Sequence, residues 1–123
     1  MSKKRILIVD DEKNVTQYIK TALEKTGQYE VREENLGANA VKTAEEFSPD
    51  LVLLDVLMPD VEGGVIAARF ESHPRFKNLP IVFLTGTLSP EKSGMIGGLP
   101  FLAKPVTPDH LTKCLEQHLK DKK

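Results

Sequence analysis

The sequence predicts an α/β domain, a doubly wound parallel sheet with helices on both faces. Four compact apolar runs carry that reading. Each is of about strand length and none alternates, the pattern of parallel strands buried on both sides. Stretches of helical periodicity fill the gaps between them, so strand follows helix along the whole chain. The length, 123 residues, suits one domain that buries its core without disulfides or metals.

Taken in order, ILIV at 6–9 is the first strand. Val15, Tyr18, Ile19, Ala22 and Leu23 form the stripe of a first helix, which Gly27 stops. The weaker run YEVR at 29–32 alternates and reads as an edge strand. Ala40, Val41, Ala44 and Phe47 mark a second helix, closed by Ser48-Pro49, and LVLL at 51–54 is the next strand. Val65, Ile66, Ala68 and Phe70 suggest the third helix, and IVFL at 81–84 the fourth strand. Between Thr85 and Lys104 the slot for a fourth helix holds Gly94, Gly97 and Gly98, each costing a helix about 1 kcal/mol relative to Ala, so a short, irregular or absent helix is expected there. The run from Leu99 to Ala103, interrupted by Pro100, is the fifth strand, and Leu111, Cys114, Leu115 and Leu119 stripe the last helix.

Composition narrows the function classes. Seventeen Lys and Arg against 18 Asp and Glu give a net charge of -1, without the basic excess of a nucleic-acid-binding module. Cys114 is the single cysteine, which excludes an internal disulfide and fits a reducing compartment. No apolar run approaches the ~20 residues of a membrane span. The opening MSKKRILIVDDE has too short an apolar stretch for a secretory signal, and acids follow it at once. Residues 1–123 are therefore expected to be one stand-alone domain, with the charged tails as ends and no output domain attached.

Open α/β sheets bind ligands beyond the carboxyl ends of their strands. At that edge the first strand delivers Asp10, Asp11 and Glu12, the third Asp55, the fourth Thr85 and the fifth Lys104, while the second ends in nothing comparable. Asp10 or Asp11 could simply cap the helix that begins near Lys13. Asp55 is harder to explain that way, because it ends a fully apolar strand, where an unpaired carboxylate is costly. Clustered carboxylates need a neutralising cation. Lys104 supplies one charge, and Mg²⁺, which takes carboxylate, water and phosphate oxygens, would supply more. The set contains what phosphoryl transfer to a carboxylate requires: a nucleophile, charge neutralisation and a hydroxyl. A structural charge cluster remains the competing reading.

The motifs ILIVDDE (6–12), LVLLDVLMPDVEG (51–63), IVFLTGT (81–87) and FLAKP (101–105) together resemble the receiver domain of bacterial response regulators across essentially the whole chain. The spacing fits as well, with 44 residues from Asp11 to Asp55 and 30 from Asp55 to Thr85. The resemblance implies a flavodoxin-like five-stranded sheet of order 2-1-3-4-5. It implies a phosphorylation-dependent switch in a two-component phosphorelay, not an enzyme with a turnover substrate. Asp55 would accept a phosphoryl group from a sensor histidine kinase or phosphotransfer protein. Asp10, Asp11, Asp55 and the backbone carbonyl of Leu57 would hold Mg²⁺ (or Mn²⁺), and Thr85 and Lys104 would bind the phosphate. Thr85 and Phe101 would form the switch, and the Lys104-Pro105 bond would be cis. The family further implies a cytoplasmic protein that signals to a downstream protein, as a monomer or a weak phosphorylation-dependent dimer, without contacting nucleic acid or membrane.

Three departures from the family pattern stand out. Gly86 replaces the usual Ala, Leu57 and Thr87 occupy the variable positions flanking the phosphoryl group, and the Thr85–Lys104 segment is a few residues short. Leu57 also argues against an aspartate-nucleophile phosphatase of the haloacid dehalogenase type, which carries a second Asp two positions after the first. An apolar Leu57 would shield an acyl phosphate from water and slow its loss. Among other residues, His73 reads as a solvated loop residue, and His110 and His118 lack metal-ligand spacing. Cys114 reads as a packing thiol, and Gly63-Gly64 as shaping the start of the third helix.

Overall fold

The structure, a computed structural model, describes residues 3–86, 95–96 and 99–119. Strand β1 (Lys4–Val9) leads to helix α1 (Lys13–Glu24), β2 (Tyr29–Glu34), a 3-10 turn at Gly37–Asn39 and α2 (Ala40–Phe47). Then follow β3 (Leu51–Asp55), α3 (Gly63–Ser72), β4 (Ile81–Thr85), β5 (Met95–Ile96), β6 (Leu99–Ala103) and α4 (Pro108–Leu119). The sheet runs β2-β1-β3-β4-β6-β5. Its first five members pair in parallel, and the two-residue β5 adds antiparallel to β6. Counted by its long strands alone, the order is the expected flavodoxin-like 2-1-3-4-5, with four helices among the described residues. The slot expected to hold a short fourth helix lies mostly outside those residues (87–94 and 97–98). Its described part, Met95–Ile96, is strand and not helix.

Strand alternation explains the two faces. Ile6 and Ile8 of β1 and Leu51 and Leu53 of β3 point into one core with Ile19 and Leu23 of α1 and Leu111 and Leu115 of α4. Leu7, Val9, Val52 and Leu54 point the other way, against Ala40, Ala44 and Phe47 of α2 and Ile66 and Phe70 of α3. Because β1, β3 and β4 are covered on both sides, their apolar runs are continuous. β2 lies at the sheet edge and alternates, as its sequence predicts, but it extends to Glu34, beyond the four residues expected.

Several side-chain expectations need correction. α3 faces the core with Gly63, Ile66, Ala67 and Phe70, spaced i, i+3, i+4 and i+7, which leaves Val65 and Ala68 exposed. Tyr18 of α1 is also exposed, and Thr16, Ile19 and Leu23 form the buried stripe. His73 is not a free loop residue: its Nε2 lies 2.9 Å from Glu45 Oε2, and its ring rests against Phe76. Arg75 joins the same cluster through the Glu45 carbonyl and Ser48 Oγ. Cys114 packs against the first core as expected, and burial pushes its thiol up to about 11, far from thiolate chemistry at neutral pH.

Gly63 fixes how α3 meets the end of β3. Its amide donates to the Val56 carbonyl at 2.8 Å. A Cβ at this position would lie 2.3 Å from the Asp55 carbonyl oxygen and 2.9 Å from Val56 Cα, both rigid backbone atoms. Gly63→Ala is therefore expected to lower stability by about 1–3 kcal/mol in urea denaturation. Gly64→Ala, with no atom within 4 Å of the added carbon, should match or slightly exceed the parent. Equal effects of the two substitutions would refute this account.

Candidate functional site

Parallel strands end on the same side, so the sheet carries its chemistry to one edge. β1 ends at Val9, and Asp10 and Asp11 follow it in the turn before α1. β3 ends in Asp55, β4 in Thr85, and Lys104 comes directly after β6. The Lys104 amide donates to the Thr85 carbonyl at 2.7 Å, extending the β4–β6 pairing by one step and tying the two residues together. Asp10, Asp55 and Thr85 are all buried.

The acids converge: one carboxylate oxygen from each of Asp10, Asp11 and Asp55 lies within 4.8 Å of the other two. Lys104 reaches into this group with its Nζ 2.9 Å from Asp10 Oδ2, 3.4 Å from Asp55 Oδ1 and 3.3 Å from Glu12 Oε1. Asp10 Oδ2 is buried and has no aligned hydrogen bond, so the lysine meets it as an ion pair only. The sequence-predicted set of Asp10, Asp11, Asp55, Thr85 and Lys104 thus gathers at one sheet edge, and the Lys104-Pro105 peptide is cis.

The flanking positions behave less uniformly. Leu57 is 58% exposed beside the acids, while the next residue, Met58, turns into the core beneath α3. Gly86 is exposed, with open space where a Cβ would stand. Phe101 is half-buried and packs against the second core. Thr87 lies outside the described residues.

Electrostatics mark Asp55. Burial, then the neighbouring Asp10 charge, push its carboxyl up to about 6, against the opposing pull of Lys104. Lys104 moves upward too: burial works against its charge, but its close pairing with Asp10, with Asp55 and Glu12 behind it, outweighs that. One lysine among three converging carboxylates leaves a negative site built of hard oxygen donors, and the buried Asp10 Oδ2 lacks an aligned partner. That donor set fits a divalent cation such as Mg²⁺.

Two expectations fail here. Neither Asp10 nor Asp11 caps α1: the capping position is Glu12, without a side-chain cap, and Asp10 Oδ1 instead accepts from the Glu12 amide at 2.9 Å. The second strand, expected to end in nothing comparable, brings Glu33, Glu34 and then Asn35 to this edge. Asn35 Nδ2 donates to the Asp10 carbonyl at 2.8 Å. The readable signal was position: Asn35 follows a strand that ends at the same edge as the acids.

Asp55 links the site to folding. Its folded value of about 6 exceeds the 3.8 of an exposed carboxyl, so between roughly pH 4 and 6 the folded state keeps a proton that the unfolded chain releases. The contribution of Asp55 to the stability of the metal-free protein therefore falls as pH rises through that window, and above it ionised Asp55 costs on the order of 2 kcal/mol. Asp55→Asn should raise metal-free stability by about that much at pH 7.5 and by almost nothing near pH 4. Urea denaturation at the two pH values checks this, and a pH-independent difference would contradict it.

A family model described as the response regulator receiver domain matches residues 6–116. The chain is 38% identical over 113 residues to the CAI-1 autoinducer sensor kinase/phosphatase CqsS of Vibrio cholerae, covering 88% of this chain and 16% of that protein. It is 36% identical over 112 residues to the response regulator Rre1 of Synechocystis sp., covering 86% of this chain and 47% of the relative. The chain thus spans less than half the length of these two curated relatives. Among solved structures, the chemotaxis protein CheY4 of Vibrio cholerae is similar with a TM-score of 0.83 at 30% identity, over 94% of this chain and 98% of that one.

Proposed function

The chain belongs to the response-regulator receiver family of two-component signalling proteins, and from that premise we propose that it is a phosphorylation switch with Asp55 as acceptor. The observation that carries the reading is the convergence of Asp10, Asp11 and Asp55 around the Lys104 ammonium. An Asp55 carboxylate oxygen attacks phosphorus and forms a P–O bond. The P–N bond of a donor phosphohistidine, or the P–O bond of a small acyl phosphate, breaks as its electron pair leaves with the donor.

Asp10, Asp11, Asp55 and the Leu57 carbonyl would hold Mg²⁺, which when bound supplies positive charge to the phosphoryl oxygens. Lys104 pairs with the phosphoryl group, and the Thr85 hydroxyl, at the end of β4, moves toward it. Phe101 follows that movement, altering the surface that a downstream protein reads. Support for a docked phosphodonor comes from a groove of about 620 Å³ beside the site. Val15 and Tyr18 of α1 line it together with Lys104, Pro105 and Val106. We read the partner as a sensor histidine kinase or phosphotransfer protein, and the chain as a stand-alone receiver whose output passes through protein contact.

Acetyl phosphate with Mg²⁺, followed by intact mass measurement, should add one phosphoryl group. EDTA or Asp55→Asn should abolish that shift, and an unmodified mass under saturating conditions would refute the assignment. Leu57→Asn should shorten the lifetime of the phosphorylated form several-fold, because a polar side chain at the mouth of the site can hold an attacking water. An unchanged lifetime would remove Leu57 as the shield.

A further inference from the structure

We propose that Asn35 is a positioning residue for the cation site, locking the backbone of Asp10 through a polar relay that ends at Glu33. The inference rests on the reading of Asp10 as a cation ligand.

Asn35 Nδ2 lies 2.8 Å from the Asp10 carbonyl oxygen and 3.2 Å from Thr16 Oγ1. A carbonyl oxygen only accepts, so the amide must turn its nitrogen toward Asp10. Thr16, fully buried on α1, places the same Oγ1 2.7 Å from Glu33 Oε1 and 3.1 Å from the Lys13 carbonyl. Both of these are acceptors, so the single hydroxyl hydrogen points to them and the oxygen lone pair is left for Asn35. Polarity then runs one way, from the Asn35 amide to the Thr16 hydroxyl to the Glu33 carboxylate. Both hydrogens of Asn35 Nδ2 are engaged, and the amide plane cannot turn without breaking one of these bonds.

The consequence falls on Asp10. Its amide donates to the Glu34 carbonyl at 3.1 Å, its own carbonyl accepts from Asn35, and its Oδ1 accepts from the Glu12 amide. Only Oδ2 lies outside this frame, and it is the oxygen that faces Lys104 Nζ. Asn35 supplies the side-chain member of the frame, joining the ends of β2 and β1 and the first turns of α1. Without it the peptide after Asp10 could rotate, and the three carboxylates would lose their common focus.

The test is a calorimetric Mg²⁺ titration of the full chain at pH 7.5. Asn35→Ala should weaken Mg²⁺ binding roughly tenfold, at the lower end of the range for outer-shell partners. Thr16→Val, of the same shape but without the hydroxyl, should weaken it less because the bond to Asp10 remains. With acetyl phosphate as donor, the Mg²⁺ concentration for half-maximal phosphorylation should rise for Asn35→Ala, while the rate at saturating Mg²⁺ stays close to that of the parent. Parent-like Mg²⁺ affinity in Asn35→Ala would overturn the proposal, as would a fall in the saturating rate that added Mg²⁺ does not restore. Should Asn35→Ala fail to fold, Thr16→Val decides alone, with unchanged affinity counting against the relay. If the parent chain itself takes up no Mg²⁺, the cation reading fails, which is a different result from failure of Asn35.

Discussion

Three carboxylates brought within 4.8 Å at the end of a hydrophobic sheet are a debt of charge, and the rest of the structure is arranged around it. Like charges at this distance in a partly dry site repel strongly, and each alone would resist burial. Lys104 answers with one charge shared among Asp10, Asp55 and Glu12. That is too little for full neutrality, and Asp55 is displaced upward first by its burial and then by the Asp10 charge, which Lys104 opposes without cancelling. A site that gains stability when further positive charge arrives is suited to sensing what brings it.

The fold makes this concentration of charge tolerable by spreading its supports. Continuous apolar strands, packed on both faces, hold β1, β3 and β4 rigidly, so their final residues have little freedom. Gly63 lets α3 approach the carbonyl of Asp55 closely enough to fix the loop behind it. The Lys104 amide, bonded to the Thr85 carbonyl, couples the cation-bearing turn to the hydroxyl-bearing strand. A movement at Thr85 is thereby mechanically adjacent to Lys104 and, one strand over, to Phe101, whose register partner on β4 is Phe83.

Much of this was legible because it follows from one-dimensional pattern. A fully buried parallel strand must be an unbroken apolar run, so ILIV, LVLL and IVFL announced β1, β3 and β4, and the polar residue ending each had to lie at the site edge. Features that depend on pairings across the chain were less accessible. The burial of Ala67 in place of Val65 and Ala68 depends on the rotation of α3 about its axis, which a mixed apolar helix specifies weakly. His73 bonds to Glu45, 28 residues away, and Asn35 reaches Asp10 across 25, contacts that carry no local periodicity. The short β5 beside β6 was hidden for another reason: in a glycine-rich segment, backbone pairing can form where propensity is silent.

Charge balance also bears on the order of events at the site. A phosphoryl group on Asp55 replaces one negative charge by roughly two, so with Lys104 the one cation at the site among the described residues, transfer would deepen the acidic imbalance there. A divalent cation would reverse the sign of that argument, because it would offset the charge of Asp10 and Asp11 and leave Lys104 available for the incoming oxygens. The lysine must then loosen its hold on Asp10, and the structure already shows a second acceptor for it in Glu12, exposed at the start of α1. Asp10 has no comparable latitude, held by its amide, its carbonyl and one carboxylate oxygen. The site therefore combines an acid held on several sides with an ammonium that has alternative acceptors, and on the proposed reading that asymmetry would let cation and phosphoryl group enter in turn without rebuilding the turn that receives them.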